Sequence, residues 1–557
     1  MKRLMIEDLK QKCDTNILDF KTTEDIEPFE KGIIGQKRAV NAIDLGLNLK
    51  QDGYNIFISG QSGTGKTTYA KTITKKMAED KDVPDDIAYV FNFQEQSKPE
   101  ILRLPSGRGE TLKKDMEDTI EELEEEISKA LESEEHEQKK SNIMSEFQES
   151  SNKLIEELES EIREEGFILQ HSGQGAMPTP IPIDEDGKPI TPDKFQQLSE
   201  DERKRIKEKN IEIQEKIEKL RRKIRNLKLE TQEEIDKLNK KIGLSIISPI
   251  FENLKDKYSC CDDVISYLDD VKEDVIENID KFTETNEQNN FLQALQQGQD
   301  ENFTNRYKVN LFVNNKDTQG APVVIETNPT YYNLFGKIEG KTQFGAITTD
   351  FTMIKSGAIQ RANGGYLILK ARDLLQKPFA WETLKRALLN QEIIVENIGE
   401  QYRAIPTTTL KPEAIPIDVK VILIGSSWIY QLLYHYDEEF KKLFKVKADF
   451  DREMKRDEEN LKKFASLISC VCRREDIRHF TVEAVARVVE YSSKISGTKD
   501  KLSTRFNQIL EILYEANYWA NVNGNEYVEL EDIKKAIKEK YQRSNLIEEK
   551  IQEMINK

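Results

Sequence analysis

The chain has 557 residues, more than one hydrophobic core usually organises, so we expect two or more domains. Charged residues make up 33% of the sequence and the formal net charge is -18, which disfavours general binding to nucleic acid or anionic membranes but allows local basic patches. No apolar run reaches the roughly 20 residues that a membrane-spanning helix needs, and the first residues lack the apolar core of a secretion signal. We therefore expect a cytoplasmic protein.

The cysteines and histidines form no pattern typical of a metal or disulfide site. The five cysteines are Cys13, Cys260, Cys261, Cys470 and Cys472. Their spacing fits neither a disulfide framework nor two pairs of zinc ligands. The four histidines, His171 among them, have no ligand-like spacing. We expect reduced, mostly packed thiols, and no metal other than magnesium bound with a nucleotide.

Residues 1–108 have the pattern of the first part of an α/β core. Apolar strand-like runs at 54–59 and 87–91 are separated by a glycine-rich turn and a helix-compatible run. Strand, glycine loop, helix and strand in this order are typical of α/β folds.

The glycine-rich turn matches the phosphate-binding pattern of Gly, four residues and Gly-Lys-Thr. Backbone N–H groups surround the phosphates in such a loop, and the start of the next helix adds a positive dipole end. Lys66 would contact the outer phosphates and the Thr67 hydroxyl would ligate Mg²⁺. An ordinary turn beside a surface lysine is the alternative, but a strand precedes the turn and a helix follows it. The candidate residues for ATP are Gly60, Gln61, Ser62, Gly63, Thr64, Gly65, Lys66, Thr67 and Thr68.

Residues 109–250 are predicted to form a coiled-coil arm. Apolar residues recur in threes and fours in two series, 112–131 and 213–242, on a background rich in Glu and Lys. A Gly/Pro-rich break at 166–192 separates the series, so the two helices would run antiparallel and meet at a tip. Solvated single helices or disorder are disfavoured because the period persists so long. The tip is either a substrate or partner contact or a plain connecting loop.

The α/β pattern returns after a helical connector predicted at 251–304. Strand candidates at 310–313, 322–326, 365–369 and 419–425 predict that residues 305–454 complete the same α/β core. Apolar periodicity without strand signals predicts an all-helical lid at 455–557. The predicted fold class is therefore an α/β P-loop NTPase core, interrupted by a long antiparallel arm and followed by a helical lid.

Three stretches resemble a known family. The segments IIGQKRAV at 33–40, GYNIFISGQSGTGKTT at 53–68 and FGAITTDFTMIKSGAIQRANGGYLIL at 344–369 are similar to the AAA+ module of Lon-like ATP-dependent proteases, in the branch with a long helical insertion. FAWETLKRAL at 379–388 and LFKVKADFD at 443–451 extend the resemblance, which covers nearly the whole chain.

The resemblance implies a ring, usually a hexamer, in which ATP turnover drives a polypeptide through a central pore into a chamber of serine-lysine proteases. The protease domain would follow the lid, about where this sequence stops. No later Ser and Lys could serve as the dyad, so we expect no peptide cleavage by this polypeptide alone. An excised ATPase part and a natural protein without the peptidase half are both compatible with this.

The acidic pair that orients the attacking water departs from the family pattern. It would follow the strand at 364–369, but Lys370 and Ala371 stand there. Asp373, three residues late, is the candidate substitute, with a role as an acid in the first turn of a helix as the alternative. Glu382 is a further candidate or a surface carboxylate. We therefore expect ATP binding with weakened or lost hydrolysis.

Other catalytic positions can be assigned only through the resemblance. Ser426 or Ser427 stands where a polar residue would sense the γ-phosphate, although either could instead cap the next helix. Leu443 stands where a neighbouring subunit would supply an arginine, which leaves Lys441, Lys442 and Lys445 as cationic stand-ins or plain surface lysines. Arg505 matches the lid arginine that contacts nucleotide, with a surface salt bridge as the alternative.

Aromatic residues before the Gly-Gly strand are candidates for gripping a substrate in the pore, although aromatics are more often core. They are Tyr331, Tyr332, Phe335 and Phe344.

Three functions follow from these patterns. The first is the AAA+ module of a Lon-like protease that remodels protein substrates with ATP bound. The second is a non-hydrolysing, nucleotide-gated scaffold that recruits a peptidase or another partner. The third is a coiled-coil protein that clamps DNA with an ATPase head, which the acidic charge and the missing signature motif of such heads oppose. DNA is therefore an unlikely partner in the sequence-based prediction.

Overall fold

The computed structural model describes residues 11–28, 32–170, 179–183, 188–191, 195–196, 198–282, 303–343, 346–398 and 410–556. The chain divides into two compact units, one of Met1–Thr111 with Val309–Lys557 and one of Leu112–Lys308. Phe344, His171 and about half of the predicted tip, at 171–178, 184–187 and 192, lie outside the described residues.

The first unit contains a parallel five-stranded sheet. Its order is β16-β1-β15-β12-β7. Over the described residues of both units, the strands in chain order are β1 (Ile56–Ser59), β2 (Asp86–Val90), β3 (Glu100–Leu104), β4 (Phe167–Gln170), β5 (Thr179–Pro182), β6 (Asn310–Val313), β7 (Val323–Glu326), β8 (Lys337–Ile338), β9 (Lys341–Gln343), β10 (Ala346–Thr348), β11 (Ile354–Lys355), β12 (Tyr366–Lys370), β13 (Glu392–Ile393), β14 (Ile415–Pro416), β15 (Lys420–Gly425), β16 (Val446–Asp449), β17 (Glu453–Lys455) and β18 (Lys501–Ser503).

Helices cover both faces of this sheet, which is why its central strands are apolar along their whole length. Each residue of β1 is buried, and β15 is buried at all but its first residue. Over the described residues of both units, the α-helices in chain order are α1 (Lys37–Asn48), α2 (Lys66–Glu79), α3 (Arg108–Leu131), α4 (Glu134–Glu164), α5 (Glu200–Lys257), α6 (Asp262–Glu277), α7 (Tyr331–Phe335), α8 (Ala358–Arg361), α9 (Ala371–Leu375), α10 (Ala380–Asn390), α11 (Ser427–Tyr436), α12 (Phe440–Leu443), α13 (Glu458–Arg474), α14 (Val482–Ser496), α15 (Phe506–Asn523), α16 (Leu530–Ser544) and α17 (Leu546–Asn556).

Because all five strands are parallel, their carboxyl ends share one edge of the sheet. In β1, Ser59 is level with Gly425 of β15 and with Asp449 of β16. Ligands of open α/β sheets bind outside this edge. The glycine-rich loop follows β1 directly, so the fold puts it at the expected edge.

The second unit is helical and contains the long helix α5. Helices α4 and α5 run antiparallel, because Lys216 bonds to Glu161 and Glu165 near one end while His136 bonds to Asn239 near the other. Between them lies an apolar cluster of Leu158, Ile162, Phe167, Ile213 and Ile217. Ser133 caps α4 and Ser199 caps α5, each by accepting a backbone N–H. The second apolar series of the sequence, 213–242, therefore lies in α5, but the first, 112–131, lies in α3. The helix that pairs with α5 is α4, for which no apolar series was predicted.

Helices α13 to α16 pack around a core of their own in the first unit. A short strand that sequence analysis did not predict, β18, lies between α14 and α15 and pairs with β17. The amino-terminal segment joins this bundle, because Thr23 N–H donates to the Phe480 carbonyl at 2.9 Å. None of the helices in the described ranges has the length and apolarity needed to cross a bilayer.

Candidate functional site

The loop between β1 and α2 has the backbone of a phosphate-binding site. Gly60, Gly63 and Gly65 have φ of 155°, 86° and 78°, values that side chains other than glycine adopt only with strain. Gly65 directly precedes α2, so the amino end of that helix faces the loop. Consecutive N–H groups in such a turn point inward and, with the helix dipole, favour an anion.

Lys66 bends back over this loop. Its Nζ donates to the Gln61 carbonyl at 2.8 Å, and the Thr64 hydroxyl donates to the same oxygen at 2.9 Å. Burial lowers the pKa of Lys66 below its usual range. Lys66 is therefore held where an incoming phosphate oxygen would replace a carbonyl as its partner.

The remaining candidate residues of the loop differ in exposure. Gln61, Ser62 and Thr68 are exposed, whereas Thr67, in the first turn of α2, is half-buried. Among the described residues the Thr67 hydroxyl has no hydrogen-bond partner, so it remains available to a ligand.

Three distant segments of the chain line the loop. A methyl group added at Gly65 would lie 3.0 Å from Ile33 Cδ1, one at Gly60 would lie 2.8 Å from Phe450 Cβ, and one at Gly63 would lie 3.3 Å from Asn507 Cβ. Sequence analysis did not single out Phe450 or Asn507. No local signal points to them, because only the tertiary fold brings them to the loop.

The lid helix α15 is anchored next to this site. The Thr504 hydroxyl donates to the Asp451 carbonyl at 2.5 Å, and Gln36 exchanges two hydrogen bonds with the Asp451 backbone at 2.7 and 2.8 Å. Arg505 is the residue before α15 and is half-buried. Its guanidinium makes no hydrogen bond or ion pair with the described residues. The predicted surface salt bridge is therefore not seen, and the nucleotide role of Arg505 stays a prediction.

The two serines after β15 have different partners. Ser426 Oγ accepts from Ile429 N–H at 3.3 Å and caps α11. Ser427 Oγ lies 2.9 Å from Ser59 Oγ at the end of β1. The capping alternative thus holds for Ser426, and Ser427 has the direct contact to the strand that leads into the loop.

No acid occupies the last position of β12 or the first of α9. Lys370 ends β12 and is exposed, and Ala371 is completely buried. A methyl group added at Gly425 would lie 3.3 Å from Ala371 Cβ, so Ala371 packs under the neighbouring strand β15. Asp373 is a half-buried acid in the first turn of α9 and makes no capping bond.

Glu382 is a surface carboxylate, 74% exposed, in an ion cluster around the buried Lys385 and away from the loop. Lys385 Nζ lies 3.0 Å from each of Glu382, Asp437 and Glu439. Burial alone would lower the pKa of Lys385, but the hydrogen bonds with the three carboxylates raise it. The Trp381 indole N–H donates to Asp437 at 2.7 Å. The cluster joins α10 to the start of α12.

The candidate cations near α12 are mostly engaged within the chain. Lys441 lies over the Tyr434 ring at 4.5 Å, and Lys445 donates to the Asp52 carbonyl at 3.1 Å. Leu443 is buried, whereas Lys442 is exposed. Lys442 is thus the candidate cation whose side chain makes no hydrogen bond, ion pair or ring contact with the described residues.

The aromatic residues proposed for a pore divide by burial. Tyr331 and Phe335 are 6% and 1% exposed and belong to the main core, so the prediction that they grip a substrate is wrong. Apolar surface drives them into the core on the short helix α7. Tyr332 is 39% exposed and stays a candidate.

Comparison with known families gives three matches in chain order. Residues 86–119 match a Lon-like LonC helical domain, residues 319–451 a LonB-like AAA domain and residues 479–543 an archaeal LonB AAA+ ATPase lid domain.

Curated relatives agree with these matches. The chain is 22% identical over 231 residues to an archaeal Lon protease of Methanothermobacter thermautotrophicus, which covers 41% of this chain and 35% of that protein. It is 33% identical over 95 residues to an archaeal Lon protease of Archaeoglobus fulgidus, which covers 16% and 14%. The matched region therefore spans about a third or less of either relative.

A solved structure of NtrX from Brucella abortus in complex with ADP is also similar, at 17% identity and a TM-score of 0.25, covering 38% of this chain and 43% of that one. The sheet, the loop and the family matches together identify the chain as carrying an AAA+ ATPase module, with its lid, of the Lon-like type.

Proposed function

We propose that this chain is the ATP-binding module of a Lon-like ATP-dependent protease and takes part in recognising, unfolding and translocating protein substrates, with weakened hydrolysis. The observation that carries the proposal is the contrast between an intact phosphate loop, with Lys66 in place, and the replacement of both expected acids by Lys370 and Ala371.

The residues of the loop fit ATP with Mg²⁺. A side chain at Gly60 or Gly65 would meet Phe450 or Ile33, so the packing around the loop requires glycine at both positions. Lys66 would bind the outer phosphates, the Thr67 hydroxyl would ligate Mg²⁺, and Arg505 with Ser426 or Ser427 would face the γ-phosphate. Bound Mg²⁺ would supply charge neutralisation of the phosphates.

Among the described residues, the end of β12 and the start of α9 lack the acids that the resemblance places there to activate water. Ala371 has no oxygen and is fully buried, and Lys370 brings a positive charge to the position of a metal-associated acid. Asp373 is the acid that remains, one helical turn further on. Without a positioned carboxylate the attacking water is poorly oriented, so ATP would be held longer than it is hydrolysed.

We further propose a division of labour along the chain. Residues 1–108 and 305–454 would form the ATPase core, 109–250 the arm with its tip at 166–192, 251–304 a connector and 455–557 the lid. Subunits would associate into a ring, with a hexamer as the expected number, and Tyr332 or Phe344 would meet substrate. A peptidase domain or subunit would complete the protease.

A nucleotide-gated scaffold is the second candidate, favoured by the burial of Ala371. It would use bound ATP to assemble a ring and recruit a partner without turnover.

Sedimentation and phosphate release together test the two candidates. Wild type and Lys66→Ala would be measured with and without Mg-ATP. The motor predicts ATP-dependent assembly with slow phosphate release that Lys66→Ala abolishes. ATP-dependent assembly without phosphate release above the Lys66→Ala background would favour the scaffold. If the protein neither assembled nor bound ATP, both candidate functions would be refuted.

A further inference from the structure

The long arm helix α5 carries a dense cluster of exposed positive charge. The cluster, called the basic patch below, consists of Lys219, Arg221, Arg222, Lys223, Arg225 and Lys228, all exposed. No acidic residue stands between 219 and 228, although the whole chain has a net charge of -18. The patch thus reverses the sign of charge that prevails in the protein.

The charges of the patch are not compensated within the described structure. Arg221 lies 3.5 Å from Glu218, and the other five side chains make no hydrogen bond or ion pair with described residues. Lys216, one turn earlier on the same helix, is by contrast bound by Glu161 at 2.7 Å and Glu165 at 2.6 Å. Five cations without a partner among the described residues, within one short stretch of exposed helix, favour an anionic ligand.

The facing helix supplies little negative charge. The pairs that join α4 to α5, Lys216 with Glu161 and His136 with Asn239, set an antiparallel register that brings the patch opposite residues 147–158. That stretch holds three glutamates, Glu149, Glu156 and Glu157, and one lysine, Lys153. Six positive charges therefore face a net of two negative ones.

The flanks of the patch limit the length of its ligand. Three glutamates precede it at 212, 215 and 218, and four acids follow it at 230, 233, 234 and 236. The patch itself is about 14 Å long at the rise of an α-helix. A duplex carries one negative charge per roughly 1.7 Å and would extend over both acidic flanks, whereas a short anionic segment would not.

The composition of the patch also separates peptides from nucleic acid. Residues 199–250 contain no aromatic side chain, so the helix that carries the patch offers bases nothing to stack on. Arginine at 221, 222 and 225 pairs bidentately with carboxylates as it does with phosphates. Charge, length and composition therefore fit a short run of Asp and Glu best.

We infer that the basic patch binds a short acidic segment of a protein substrate. The inference names a substrate class for the proposed function. It rests on the proposed function only in calling the bound protein a substrate, because the contact between the patch and the acidic segment needs no nucleotide. Proteins with a run of about four to six acidic residues would be selected over neutral ones.

Fluorescence anisotropy with a labelled deca-glutamate peptide tests the inference. We expect binding to wild type at 50 mM NaCl that weakens at 200 mM. The variant Arg222→Glu, Lys223→Glu and Arg225→Glu should bind at least about tenfold more weakly, where tenfold corresponds to about 1.4 kcal/mol. The matched control Lys237→Glu, Lys240→Glu and Lys241→Glu makes the same charge change on exposed positions of the same helix and should keep the affinity within about twofold.

Three outcomes would overturn the inference. An equal loss of peptide affinity in the patch variant and the control variant would show that net charge, and not the patch, determines binding. Failure of wild type to bind the peptide would refute the inference directly. Patch-dependent binding of a 20-bp duplex more tightly than the peptide would assign the surface to nucleic acid. Wild type and both patch variants are also titrated with ATP, and Lys66→Ala is also tested for peptide binding. A wild-type protein that binds the peptide but not ATP would contradict the proposed function and leave the inference intact.

Discussion

Asn507, at the start of the lid helix α15, lies against Gly63 of the phosphate loop, where an added methyl group would come within 3.3 Å of its Cβ. Lid and loop thus touch at Gly63, where a side chain would fit only if Asn507 shifted slightly. A change in loop conformation on binding phosphate would be felt at the amino end of α15, two residues from Arg505.

Replacing Gly63 by Ala tests this contact. The substitution combines a positive φ of 86° with a close approach to Asn507, so we expect a loss of about 1–2 kcal/mol of stability and weaker ATP binding. Gly497→Ala is the matched control, because Gly497 has φ of 79° and nothing within 4 Å. Isothermal titration should show weaker ATP binding for Gly63→Ala alone. Equal affinities in the two variants would mean that the contact does not matter.

Replacing Lys66 by Ala removes the cation that is held over the loop. Hydrogen bonds to charged groups contribute about 1.5–3 kcal/mol, so ATP affinity should fall by about 10- to 100-fold. Lys75→Ala, an exposed lysine on the same helix, should bind as wild type does. A fluorescent ATP analogue measures both, and unchanged affinity in Lys66→Ala would place the nucleotide elsewhere.

Replacing Lys385 by Met should destabilise the core module. The side chain of Lys385 is 8% exposed and holds three carboxylates, and removing one partner of such a cluster leaves like charges facing each other. We expect a loss of about 2 kcal/mol in urea unfolding. Arg386→Met, whose side chain is 60% exposed and bonds to Glu396 alone, should cost much less. A similar loss in both would show that the cluster does not stabilise the fold.

His479 should make the lid sensitive to mild acid. Thr23 Oγ accepts from Phe480 N–H, so its own proton is available to His479 Nδ1 at 3.0 Å. Burial lowers the pKa of His479 below 6.5. The unfolded chain therefore takes up a proton first as pH falls through about 6.5, and stability declines until the folded state is protonated too.

The measurement is the melting temperature at pH 7.5 and 5.5. The fall in melting temperature between these two pH values should be larger for wild type than for His479→Asn, which keeps an acceptor near the position of Nδ1. The control His435→Asn makes the same change at an exposed histidine, and its melting temperature should fall as much as that of wild type. If His479→Asn also loses as much, His479 does not carry the dependence.

Local patterns were enough to predict the loop, the core strands and the helical character of 112–131 and 213–242. The separate helix α4, which packs against α5, was not predicted. Gly60, Gly63 and Gly65 take conformations that glycine tolerates and other residues do not, so the motif itself encodes the turn. The apolar period marked the helices because it matches the helical repeat.

Contacts between distant residues could not be predicted in this way. Asn507, Phe450 and Ile33 reach the loop through the tertiary fold, and nothing near them in sequence indicates it. Sequence analysis left both a core and a pore role open for Tyr331 and Phe335, because an aromatic side chain without its tertiary surroundings is compatible with either. The strand β18 was too short for its period to be visible.

The most direct test of the central claim measures ATP binding and phosphate release on one preparation of the full chain. We predict saturable ATP binding that depends on Lys66, together with phosphate release slower than about one per minute, well below the roughly 1–10³ per second typical of enzymes. Release of about one per second or faster that Lys66→Ala abolishes would contradict the weakened site at Lys370 and Ala371, and failure to bind ATP would contradict the account as a whole.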